Sequence, residues 1–295
     1  MPHANPGIHH LQVGDVLVTA LNDGQFHAAT EYVTGVPAAE CEALLRDSFR
    51  PLPPRITVGC FLLRFGGRHV LVDFGGGGAM GTMLGHAGSR LAAIGVAPEA
   101  IDTVLVTHAH VDHVFGLVDG DGAAVFPKAE IVISGIETGF WLSAENESRA
   151  PEGARQDFGI AQRALAPYRD RIRHVADGAE ALPGITARLF PGHTPGHSGY
   201  QIVSGAETLL IWGDIVHLPG IQFARPEAGM GFDIDGDQAR RTRARAMDMT
   251  AQDRILLAGM HLDFPCFGHV VRRSGGGYAF EPVVWAPTES GPFGG

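Results

Sequence analysis

The segment Thr107-His108-Ala109-His110-Val111-Asp112-His113 packs four potential metal ligands into six positions. It follows the apolar run Val104-Leu105-Val106, which predicts a buried strand. A strand that ends in a loop dense with imidazole and carboxylate is a poor structural element and a good metal site. Neutral imidazole nitrogens and carboxylate oxygens suit zinc, manganese or iron.

Such a site needs partners from elsewhere, and three later segments offer them. Pro191-Gly192-His193-Thr194-Pro195-Gly196-His197 is a turn punctuated by Gly and Pro that carries His193. The apolar run Leu209-Leu210-Ile211-Trp212 ends in Gly213-Asp214, and Ile255-Leu256-Leu257-Ala258-Gly259-Met260 ends in His261. Each candidate lies in or beside a loop. A layered α/β protein builds sites in this way, with rigid strands inside and chemistry on the loops at one edge.

The order H-x-H-x-D-H, His, Gly-Asp, His resembles the metallo-β-lactamase superfamily of binuclear metallohydrolases, over nearly the whole chain from Val16 to about Trp285. The resemblance implies a four-layer αβ/βα sandwich with the metals at one edge of the two sheets. It implies two divalent ions, zinc first, with manganese, iron or cobalt as alternatives. By motif, His108, His110 and His193 would hold one ion, Asp112, His113 and His261 the other, and Asp214 would bridge them. Class B β-lactamases place Cys at the position of Asp214, glyoxalase II-like enzymes add a helical C-terminal domain, and flavodiiron proteins replace His110 by an acid. The segments Phe140–Ser143, Gly192–His197 and His261–Pro265 are most similar to the methyl parathion hydrolase group, which neighbours the lactonases, quorum-quenching acyl-homoserine lactonases among them. Those lactonases carry Tyr three residues after the bridging Asp, where this chain has His217. The group also implies a homodimer.

The activity this implies is hydrolysis of a small, apolar lactone or aryl ester by a hydroxide held between the metals, with Asp214 or His217 passing a proton to the leaving oxygen. A phosphotriester hydrolase would use the same core. Two readings from other classes stand beside these: a persulfide dioxygenase with one iron, and a scaffold without catalysis. No G-x-S-x-G elbow offers a serine nucleophile.

Composition sets bounds. The motif segments spread over more than half of the 295 residues and must converge, so one domain over 1–295 is expected, with about 1–15 and 286–295 as terminal extensions. A net charge of −10 argues against a nucleic-acid partner. Cys41, Cys60 and Cys266 lack C-x-x-C spacing, so neither disulfides nor thiolate ligation is expected. No basic-then-apolar leader and no run of 18 apolar residues is present, so no membrane span is expected and the cytoplasm is the default.

Patterning predicts strands at 16–21 (closed by a turn at Asn22-Asp23-Gly24), 60–65, 69–74, 103–107, 129–134, 186–190, 199–203, 208–212 and 255–260. Helices are expected over 37–47, 88–95, 136–143, 159–169 and 236–249. Gly76–Gly81 matches G-x-G-x-x-G, but the next strand ends in the ligand loop rather than in a ribose-binding acid, so a tight turn is expected. Arg240–Arg245 reads as a solvated helix face. His197 and His217 are each open to a supporting or a catalytic role. Trp141, Phe232, Phe264 and Phe267 are candidate walls of a substrate pocket, the last two because they follow His261 closely.

Overall fold

Alternation along the long strand Arg55–Phe65 explains the layering of the computed structural model, which describes residues 6–285. Phe61 and Leu63 face one apolar core, while Cys60 and Leu62 face another. A strand with two apolar faces must be covered on both sides.

In chain order the strands are β1 (Ile8–Val13), β2 (Val16–His27), β3 (Val33–Thr34), β4 (Arg55–Phe65), β5 (Arg68–Val72), β6 (Thr103–Leu105), β7 (Glu130–Ser134) and β8 (Ile172–Val175). They continue as β9 (Glu180–Leu182), β10 (Ile185–Leu189), β11 (Ser198–Ser204), β12 (Glu207–Ile211), β13 (Gly229–Met230), β14 (Leu256–Ala258), β15 (Phe267–Arg272) and β16 (Tyr278–Pro282). The α-helices are α1 (Ala38–Asp47), α2 (Ala87–Ala93), α3 (Val111–Val114), α4 (Gly135–Trp141), α5 (Ala144–Arg149), α6 (Arg155–Leu165), α7 (Pro219–Gln222) and α8 (Gly236–Asp253).

One seven-stranded sheet has the order β1-β2-β4-β5-β6-β7-β8, the other β16-β15-β14-β12-β11-β10-β9, and β3 and β13 form a small ribbon. Both large sheets are mixed: β5, β6, β7 and β8 run parallel, as do β12 and β14. Phe61, Val72, Leu105 and Val132 of the first sheet pack with Tyr200, Ile202, Leu209 and Phe267 of the second. On the other face of the first sheet, Leu62, Leu71, Val104 and Ile131 meet Leu91 of α2 and Phe158 and Ala161 of α6. The long helix α8 adds Ala246 and Met247 to the core of the second sheet. The expected αβ/βα sandwich is the observed architecture.

Polar stitches hold the sheets together where they carry the ligand loops. The Tyr200 hydroxyl of β11 reaches the carbonyls of Val106 and Val132 at 2.8 and 3.2 Å. Ser198 N–H donates to Thr107 O at 2.9 Å, and Gly59 N–H to Met260 O at 2.8 Å.

Three expectations change. The sheet begins at β1, which pairs antiparallel with β2, so Ile8–Val13 belong to the sheet rather than to an extension. Residues 286–295 lie outside the described set. The turn expected at Asn22-Asp23-Gly24 is a bulge inside β2, where the register against β4 shifts. Its polar residue is satisfied inward: the Asp23 carboxylate accepts the N–H groups of Gly76, Gly85 and Ala87 at 2.9, 3.0 and 2.9 Å. That contact anchors the Gly76–Gly81 turn. The region after His261 also adds two strands, β15 and β16, to the second sheet. Among the described residues no helix is long and apolar enough to cross a membrane.

Phe61 is fully buried, 5.5 Å from the ring of Phe267 across the sheets. Phe61→Ala is expected to lower the unfolding free energy in urea by about 3–5 kcal/mol. A loss below about 1 kcal/mol would contradict this packing.

Candidate metal centre

The four ligand-bearing segments leave the two sheets at one edge. Beyond β6, Val106 and Thr107 lead to His108 and His110, and α3 begins at once, placing Asp112 and His113 on its single turn. The loop between β10 and β11 carries His193, and His261 follows β14. Asp214 follows β12 through Gly213, whose φ is +62°. A Cβ on Gly213 would lie 2.4 Å from His197 Nε2, so only glycine fits there.

Asp214 Oδ2 is the point of convergence. It lies 2.9 Å from His261 Nε2, 3.1 Å from His217 Nε2, 3.2 Å from His113 Nε2, 3.4 Å from His193 Nε2 and 3.6 Å from His108 Nε2. On one side, His110 Nδ1 is 3.1 Å from His108 Nε2 and 2.9 Å from His193 Nε2. On the other, Asp112 Oδ2 is 3.7 Å from His113 Nε2 and 3.5 Å from His261 Nε2. Among the described residues, four groups present possible ligand atoms within 4.8 Å of one another: His108/His110/His193, His108/His113/Asp214, Asp112/His113/His261 and His193/Asp214/His217.

The donor set fits a cation. His113 Nε2, Asp214 Oδ1 and both ring nitrogens of His217 are buried without a hydrogen-bond partner among the described residues. Buried polar atoms are ordinarily paired, so orphaned nitrogen and carboxylate atoms gathered in one cluster suit a cation. The donors are nitrogen and carboxylate oxygen, without a thiolate: Cys41, Cys60 and Cys266 are buried elsewhere.

Electrostatics support the same arrangement. Burial would raise the Asp214 carboxyl, but His113, His261 and the other imidazoles hold it well below the usual range. Burial would lower His113 and His261, but Asp214 and Asp112 outweigh it and raise both. Burial, reinforced by neighbouring imidazoles, pushes His108 and His110 well below the ordinary histidine value. It pushes His197 down to about 3 and His217 to about 4, against the pull of Asp214.

Other carboxylates aim the candidate ligands. Asp73 sits directly behind β5 with φ +55° and accepts Thr107 N–H and Oγ1–H at 2.8 and 2.7 Å. Its Oδ2 is 2.8 Å from His113 Nδ1, which turns Nε2 toward Asp214. Asp233 Oδ1 does the same for His193 Nδ1 at 2.8 Å. His197 is a support: its Nδ1 meets Phe190 O at 2.9 Å and its Nε2 accepts the Asp214 N–H at 2.8 Å. Sequence reasoning missed Asp73 and Asp233. Asp73 was readable in principle, because an acid directly after Val70-Leu71-Val72 repeats the pattern of Asp214; Asp233 carries no such mark.

A cavity of ≈ 890 Å³ opens on the cluster, lined by His110, Asp112, His193, Asp214, His217 and His261 and walled by Phe26, Tyr32, Met80, Trp141 and Phe232. Two of the four candidate wall residues lie there. Trp141 is buried, with its ring 5.5 Å from that of His110, and Phe232 is partly exposed, 5.0 Å from His217. The other two do not. Phe267 is 1% exposed between the sheets, because β15 turns it inward, and Phe264 lines a different pocket beside Thr57 and Arg90. Arg243 likewise leaves the solvated face expected of Arg240–Arg245. It is 1% exposed and donates to the carbonyls of Ile215, Ala228 and Pro226 at 2.7, 2.7 and 3.2 Å, tying the Asp214 loop to the cavity wall.

A sequence model of the metallo-beta-lactamase superfamily matches residues 55–259. The chain belongs to the metallo-β-lactamase superfamily. Solved structures agree across its length. The hydrolase AbOPH of the beta-lactamase superfamily is 31% identical, with a TM-score of 0.90 over 95% of this chain and 99% of that one. AidC, a dizinc quorum-quenching lactonase solved in complex with a product N-hexnoyl-L-homoserine, is 26% identical, with a TM-score of 0.89 over the same shares. A probable metal-dependent hydrolase from Staphylococcus aureus is 20% identical, with a TM-score of 0.75 over 93% and 100%, and shares the fold. This member of the superfamily is a metal-dependent hydrolase.

A proton balance checks the site. His113 and His261 hold protons more tightly than free histidine, and an entering cation must displace them. Adding Zn²⁺ to metal-free protein in weak buffer is expected to release protons, and affinity should fall as pH drops through the raised values. Uptake without proton release would contradict the assignment of these two rings.

Proposed function

We propose that the chain is a binuclear hydrolase of small apolar lactones or aryl esters. One observation carries this reading. A single buried carboxylate oxygen faces five imidazole nitrogens at the floor of an apolar cavity, with a separate ligand group on either side. His108, His110 and His193 would hold one divalent cation, Asp112, His113 and His261 the other, and Asp214 both. Zinc is the first choice, since AidC is a dizinc enzyme. An enzyme working with one iron would need only one of these groups.

Bound there, two divalent cations supply Lewis acidity and bring the pKa of a water toward neutrality. The chain's own residues do the rest. Phe26, Tyr32, Trp141 and Phe232 give the substrate an apolar wall and keep bulk water from the reacting bond. His217, pushed down to about 4 by burial and so neutral, has its Nε2 3.1 Å from Asp214 Oδ2, where it can carry the proton lost by the attacking water to the leaving oxygen. A lactone asks little of that acid, because its leaving group stays tethered. The lactonase AidC, matched over 95% of this chain, supports a carbonyl ester over a phosphotriester.

The test is kcat/KM of the metal-reconstituted protein for dihydrocoumarin, an acyl-homoserine lactone and a dialkyl aryl phosphotriester. A lactone value at least about tenfold above the phosphotriester value is expected; the reverse order would overturn the ester reading. Chelation should abolish every activity. Asp112→Ala should lose one cation and most turnover, and full activity with one cation left would sink the binuclear mechanism.

A further inference from the structure

Glu137 is fully buried, belongs to no ligand group, and lies in the first turn of α4. Its Oε1 accepts the Ala109 N–H at 2.9 Å and the Trp141 indole N–H at 2.7 Å. Its Oε2 accepts the Thr194 hydroxyl at 2.7 Å and the Gly196 N–H at 2.9 Å. Ala109 sits between His108 and His110, and Thr194 follows His193 directly. One carboxylate therefore joins the two loops that supply the His108/His110/His193 group. Its fourth donor, Trp141, also presents its ring to His110. The approach is close enough to need glycine: a Cβ on Gly196 would lie 2.2 Å from the Glu137 nitrogen.

A carboxylate suits this place because it only accepts, with two oxygens and room for four donors. Glutamine has nearly the same shape but would turn an NH₂ group toward two of those donors. Among the described residues, no equivalent bridge ties Glu137 to Asp112, His113 or His261. We propose that Glu137 is a positioning residue that sets the cation affinity of the His108/His110/His193 group and leaves the Asp112/His113/His261 group unaffected. This rests on the metal reading above.

The experiment is competition of the full-length protein with a chromophoric chelator for Zn²⁺, resolving two sites, alongside the thermal midpoint of the metal-free protein. Glu137→Gln is expected to weaken one site by about tenfold or more and leave the other as in the wild type. Thr194→Val, which removes one donor, should weaken the same site by a smaller factor. In a His193→Ala background, Glu137→Gln should then change nothing at the remaining site. A merely structural role would lower the midpoint and leave both affinities equal to the wild type, which would overturn the proposal. Should Glu137→Gln fail to fold, Thr194→Val decides alone, and wild-type affinity at both sites would overturn it. A wild type that binds two cations while these variants do too, unchanged, sinks only the role of Glu137; a wild type that binds none sinks the metal reading as well.

Discussion

The site depends on one buried oxygen, Asp214 Oδ2, surrounded by five imidazole nitrogens at 2.9 to 3.6 Å. Burying a carboxylate without compensation costs several kcal/mol. Burying lone-pair nitrogens that face one another is also unfavourable, and His113 Nε2 has no hydrogen-bond partner among the described residues. The divalent cations proposed here would answer both problems at once. The surrounding protein keeps those side chains from relaxing away from one another.

That constraint explains how the two sheets are joined. His108 and Asp214 come from opposite sheets, so their separation is set by the packing of Phe61, Val72 and Leu105 against Tyr200, Leu209 and Phe267. Near the site this apolar contact gives way to directed bonds. Tyr200 reaches two carbonyls of the facing sheet, and Ser198 reaches Thr107. Buried charges then fix single side chains. Asp73 turns His113, Asp233 turns His193, Glu137 spans two loops, and Arg243 gathers three carbonyls behind Asp214. Each joins residues far apart in the chain, and Glu137 joins the two halves of the sandwich.

The same distinction explains what could be read from the sequence. The candidate ligands could be picked out because their spacing is local: His108, His110, Asp112 and His113 lie on one loop and one helical turn, and His193, Asp214 and His261 each stand at a strand end or in a marked turn. The layering came with the family resemblance, and the nearly unbroken apolar run of β4 agrees with a strand covered on both faces. Residues defined by distant partners were not. Asp23 looks like part of a turn until its three backbone donors are seen across the first sheet. Arg243 looks solvated beside Arg241 and Arg245, and one helical step decides that it is not. Phe267 follows His261 in sequence yet points between the sheets, because two further strands begin there. Nearness in the chain is weak evidence for a pocket wall.

The central claim, that this carboxylate gathers two cations, is tested most directly by the anomalous scattering of a Zn²⁺-reconstituted crystal. The expected result is two peaks, one among His108, His110 and His193 and one among Asp112, His113 and His261, with Asp214 between them. A single peak, or zinc bound elsewhere with these rings paired only to one another, would contradict it.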